Sequence, residues 1–116
     1  MTLLRRFDEF WPHYVRQHAR PLTRRLHFAG TSLGLLCLAG AALLGEPRLV
    51  AAAPVVAYGF AWTGHFFVER NRPATFRHPV LSLLGDFRMY GLMWAGRMDG
   101  EVERVAARIS RRSRPS

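Results

Sequence analysis

The chain has 116 residues, room for one domain, with 17 basic against 8 acidic residues and a formal net charge of +9. All 17 are arginine, and they crowd around apolar runs instead of alternating with stacking aromatics in a polar domain. That placement excludes nucleic acid as the expected partner and suits the headgroups of a lipid bilayer.

From Leu3 to His18, the residues Leu3, Leu4, Phe7, Phe10, Trp11, Tyr14 and Val15 fall on an i, i+3, i+4, i+7 stripe. The spacing predicts an amphipathic helix, bent or restarted at Pro12. Trp11 and Tyr14 suit a helix lying in the headgroup layer. His18 continues the stripe, and His13 falls on its polar side. Met1 to Pro12 has no apolar core, so a cleaved signal peptide is not expected.

Arg20-Pro21 breaks this element, and Thr23 is a candidate cap for the next. Phe28 to Leu44 runs 17 residues without a charge, with Cys37 inside it as a small buried hydrophobe. Gly45-Glu46-Pro47-Arg48 is a turn in which Gly ends one helix and Pro opens the next. Leu49 to Val68 follows, 20 residues with only His65 as a potential charge and with Pro54 as a possible kink. About 20 apolar residues cross a bilayer, and neither run shows the polar face that a soluble bundle requires. Gly30 and Gly34 suit close contact between the two helices.

Pro79 to Gly96 is a third apolar stretch, interrupted by Asp86 and Arg88 and read as a helix packed against the hairpin, with Asp86 turned inward or at the interface. The C-terminal segment places Met98, Val102, Val105, Ala106 and Ile109 on one face, with Arg104, Arg108, Arg111 and Arg112 elsewhere. It reads as a second interfacial helix. The expected fold is therefore all-α: a multi-pass helical membrane protein, residues 1–116 as a single domain. Its hairpin and third packed helix are flanked by N- and C-terminal amphipathic interfacial helices. Six arginines precede the hairpin and three follow it, against Arg48 alone in the turn, so both outer ends are expected on the cytoplasmic side.

The hairpin brings chemistry together. His27 lies 19 residues before Glu46 and His65 lies 19 after it, so both sit roughly 28 Å from the turn at about 1.5 Å per residue. Glu69, four residues beyond His65, is expected one turn on and on the same face. The break at Arg20-Pro21 folds His18 back toward that level. Three imidazoles and a carboxylate, without a thiolate, suit Fe(II), Zn(II) or Mn(II). A His–carboxylate set with open positions is how non-heme iron activates oxygen. The spacing leaves blander roles open: a hydrogen-bonded structural His65, and an interfacial ion pair of Glu69 with Arg70 or Arg72. His78, before Pro79, is a further imidazole that can reach the mouth of the hairpin.

The run His18-Ala-Arg-Pro-Leu-Thr-Arg-Arg-Leu-His27-Phe-Ala-Gly30-Thr31 resembles the first signature of the Mpo-like family. Gly64-His65-Phe-Phe-Val-Glu69-Arg-Asn-Arg-Pro73-Ala74 resembles the second. This is a family of small multi-pass membrane proteins whose yeast founder is a 2-hydroxy fatty acid dioxygenase. The resemblance covers about Phe10 to Trp94. It implies an enzyme, an Fe(II)-dependent dioxygenase that shortens a long-chain 2-hydroxy acid by one carbon using molecular oxygen, in a bacterial inner or endoplasmic-reticulum-type membrane. It also implies His18, His27 and His65 as iron ligands and Glu69 as a catalytic carboxylate, either a ligand or a partner that orients His65. Arg24, Arg25, Arg70 and Arg72 are candidates to hold the substrate carboxylate, with plain headgroup contact as the alternative. Gly85 to Met89 follows the bacterial-type pattern of the family, so no role for Asp86 is carried over. The competing function is a non-catalytic membrane scaffold or assembly protein.

Overall fold

A computed structural model describes residues 2–113. The described residues are all-helical, without strands: α1 Leu3–Gln17, α2 Pro21–Leu44, α3 Arg48–Thr63, α4 Pro79–Trp94 and α5 Met98–Ser113. A π-helical turn, Gly64–Glu69, prolongs α3, and a 3-10 turn covers Ala74–Phe76. The helices form two compact units, one from Arg20–Arg72 and one from the flanking stretches up to Ala19 and from Pro73 onward.

The first unit is the apolar hairpin. Pro21 opens α2 at the position where a missing N–H costs nothing, and Arg20 precedes it in extended conformation. Thr23, expected as the cap, instead lies inside the helix and is fully buried. Gly45 ends α2 with φ +64, the left-handed conformation a side chain resists, and α3 starts three residues later. Small residues let the helices touch. A Cβ at Gly30 would lie 2.7 Å from the Ala57 carbonyl oxygen, and one at Gly34 would lie 3.1 Å from that of Ala53. α3 runs as helix through Pro54.

Few other apolar side chains of the hairpin find protein partners. Leu36, Leu43, Leu44 and Val55 are all exposed. Only 17% of the apolar window of α2 and 22% of that of Arg48–Glu69 is buried by the rest of the chain. Both helices are long and apolar enough to cross a membrane.

The second unit packs α1, α4 and α5 around one core. Phe10, Trp11, Tyr14 and Val15 of α1 meet Leu81 and Met89 of α4, with Met98 and Val105 of α5. The stripes of α1 and α5 are largely spent on a protein core, since an amphipathic face does not specify whether lipid or protein covers it. Within this unit, α4 packs on α1 and α5. At 16 residues, α4 is about 24 Å long. α1 is one helix through Pro12, neither interrupted nor restarted, with Thr2 Oγ1 capping it by accepting the Arg5 N–H at 3.2 Å. Gly85 is required where α4 meets α1: a Cβ there would stand 2.8 Å from the Tyr14 ring.

Candidate metal centre

The equal spacing of two histidines from the hairpin turn has its expected consequence. His27 on α2 and His65 in the π-helical turn are both buried, and their Nε2 atoms lie 3.2 Å apart with the rings near perpendicular. Two nitrogens bound to one ion at about 2.1 Å, subtending about 90–110°, stand about 3.0–3.4 Å apart. The observed separation fits two ligands on adjacent positions of one metal ion.

A neutral imidazole can offer Nε2 only if its proton is on Nδ1, and the turn after the π-helix arranges this for His65. Arg70 adopts φ +59, the one positive φ at a non-glycine among the described residues. The chain therefore folds back, and the Asn71 backbone N–H donates to the His65 carbonyl at 2.9 Å. The Asn71 side-chain Oδ1 then accepts from His65 Nδ1 at 2.7 Å. With Nδ1–H so committed, the Nε2 lone pair faces His27. Asn71 is a positioning residue that sequence reasoning missed, although it lies inside the motif quoted above.

His18 is buried too, at the C-terminal cap of α1. Its Nδ1 lies 2.7 Å from the Tyr14 carbonyl oxygen and its ring stacks on the Tyr14 ring at 4.1 Å. That bond assigns the proton to Nδ1 and the lone pair to Nε2, as in His65. Tyr14, fully buried, also donates its hydroxyl to Asp86 at 2.5 Å. Asp86 is turned inward as expected, and burial pushes its carboxyl up to about 7 against the opposing pull of the Tyr14 bond. His18, His27 and His65 are thus each a buried imidazole, a residue type that ligates metal ions.

Glu69 is not part of that donor group. Its Oε1 accepts the Arg20 N–H at 2.6 Å, clasping the end of the π-helical turn to the start of α2. The reason is the turn itself. A π-helix closes its ring five residues on, so the residue four beyond His65 no longer lies over it. His78 is exposed, with its ring edge-on to Phe10 at 5.5 Å, and likewise stands outside the donor group. His13 is exposed as expected, its pKa lowered by burial and by His78 and Arg16. Of the candidate substrate-binding arginines, Arg24 is buried, whereas Arg25, Arg70 and Arg72 are exposed around the His27 and His65 end of the hairpin.

Comparison with curated proteins and with solved structures gives no match. The model of the family described as 2-hydroxy-palmitic acid dioxygenase Mpo1-like matches residues 4–98, and the chain belongs to that family.

Proposed function

We propose that this protein is an Fe(II)-dependent dioxygenase of the membrane, cleaving a long-chain 2-hydroxy acid with oxygen to an acid one carbon shorter, carbon dioxide and water. The observation that carries this reading is the buried pair of Nε2 atoms 3.2 Å apart, one of them oriented by Asn71. In the proposal His18 supplies the third imidazole, its tautomer set by the Tyr14 carbonyl. The family description supplies the reaction class. Bound Fe(II) would supply the electrons for oxygen activation at a neutral-nitrogen site.

The chain's own residues do the rest. In the proposal the substrate carboxylate is held by Arg25, Arg70 and Arg72, which are exposed. An apolar groove of about 310 Å³ is lined by Leu26 of α2 and by Val55, Val56, Gly59, Phe60 and Thr63 of α3. It is suited to an acyl chain. The exposed apolar surface of α2 and α3 keeps this groove at the bilayer, from which such a substrate would come. Glu69 holds the mouth in register through the Arg20 N–H and is given a positioning role.

The test is anaerobic loading of purified protein with Fe(II), then 2-hydroxypalmitate and oxygen, with the 15-carbon acid assayed. The expected result is product from wild type and none from His27→Ala or His65→Ala. A folded wild-type protein that binds no iron and forms no product overturns the reading in favour of a membrane scaffold.

A further inference from the structure

The second unit carries a feature that the proposed oxidation does not use. An open cleft of about 570 Å³ is lined by five arginines: Arg5 of α1, Arg88 of α4, and Arg104, Arg108 and Arg112 of α5. The last three follow one another at i, i+4 and i+8, one face of one helix. Asp8 and Glu9 also line the cleft, so its walls carry three more positive than negative charges. Among the described residues, Arg5, Arg88, Arg108 and Arg112 form no ion pair with a carboxylate. Arg104 pairs with Glu101, whose carboxylate also feels the charge of Arg88.

The floor is organised. The Arg88 guanidinium lies over the Trp11 ring, its Cζ 4.4 Å from the centroid, a cation–π contact that anchors it. Trp11 is itself pinned through Nε1–H to Glu101 at 2.8 Å. Like charges gathered on three helices repel one another and cost stability unless an anion enters between them. Planar guanidiniums match phosphate oxygens two at a time. We propose that this cleft is a binding site for a phosphate-bearing anion, either the headgroup of an anionic phospholipid or a soluble phosphate compound. The site is independent of the metal-centre reading, since it uses neither the histidines nor the hairpin.

The experiment is native mass spectrometry of the full chain in a neutral detergent, titrated with dioleoyl phosphatidylglycerol, with dioleoyl phosphatidylcholine, and with inorganic pyrophosphate. A saturable adduct with phosphatidylglycerol but not phosphatidylcholine is expected if the source is a lipid. One with pyrophosphate is expected if it is a soluble phosphate. The double variant Arg108→Gln/Arg112→Gln should weaken the adduct at least about tenfold, since each lost charge-assisted bond is of that order. The charge-matched control Arg97→Gln/Arg111→Gln, at exposed positions outside the cleft, should leave it unchanged. Equal weakening in both variants, or no adduct with any of the anions, overturns the proposal. Circular dichroism establishes that the variants are folded.

Discussion

Asn71 bonds His65 twice, through its backbone N–H to the His65 carbonyl and through Oδ1 to Nδ1. A single residue thus sets both the path of the turn and the tautomer of the imbedded imidazole. Removing the side-chain half should act on the metal and spare the fold. Asn71→Ala is expected to weaken Fe(II) binding about ten- to a hundredfold, with Asn71→Asp recovering part of it. Fe(II) titration followed by bound iron per chain measures this, alongside a melting curve that should barely move.

Gly30 tests the hairpin. A Cβ there meets the Ala57 carbonyl at 2.7 Å and the Phe60 Cβ at 2.8 Å, both unable to yield without moving α3. Gly30→Val should cost about 1–3 kcal/mol or more and should separate the two imidazoles, so that iron content falls with the melting temperature. Gly40→Ala, where a Cβ meets only the flexible end of Leu49, should change both far less.

Gly59 opens the groove and has nothing within 4 Å of an added Cβ. Gly59→Leu should therefore fold normally while filling the groove. The expected outcome is a raised KM for long 2-hydroxy acids and a smaller change for short ones, read from product formation across a chain-length series. An unchanged profile would move the acyl chain elsewhere.

Glu101 gives the second unit a pH dependence. Its carboxyl is held down to about 2, first by the hydrogen bonds from Arg104 and with help from Trp11, against an ordinary value of 4.5. A carboxylate with a lowered folded-state pKa stabilises the fold above 4.5, and that contribution is lost as pH falls toward 2. The Glu101 side chain is 14% exposed but that of Arg104 is 51% exposed, so solvent screening holds the contribution to about 1 kcal/mol. Thermal melts of wild type should fall across that window, and those of Glu101→Gln should start lower and fall less.

The arginine distribution predicts an orientation for the hairpin. Reporter fusions at residue 46 and at the C-terminus are expected on opposite sides of the membrane, with residue 46 outside. Both reporters on one side would refute the assignment.

Much of this was legible in the residues. Apolar runs without a polar face announce the hairpin, and counting 19 residues either way from Glu46 puts His27 and His65 at one level, where their Nε2 atoms meet. Gly30 and Gly34 are the points where α2 touches α3. The π-helical turn was not legible, because a change from four- to five-residue closure leaves no mark in hydrophobic periodicity. Glu69 accordingly turned to Arg20. Asn71 escaped notice because the left-handed turn that returns it falls on Arg70, where no glycine signals it. The stripes of α1 and α5 were read correctly as amphipathic, but only three-dimensional packing shows that Tyr14 and Val105 are covered by protein.

The tip at Gly45 to Pro47 lies at the far end of both helices from the imidazoles. Adding residues there lengthens a loop at a cost that grows only with the logarithm of its length, and leaves each histidine where it is. One residue inserted within either helix instead rotates everything beyond it by about 100° and advances it by about 1.5 Å, which would swing a donor off its partner. The protein therefore divides into a stretch that tolerates grafted tags or spacers and two rods whose length is set to the residue, a practical map for anyone redesigning it.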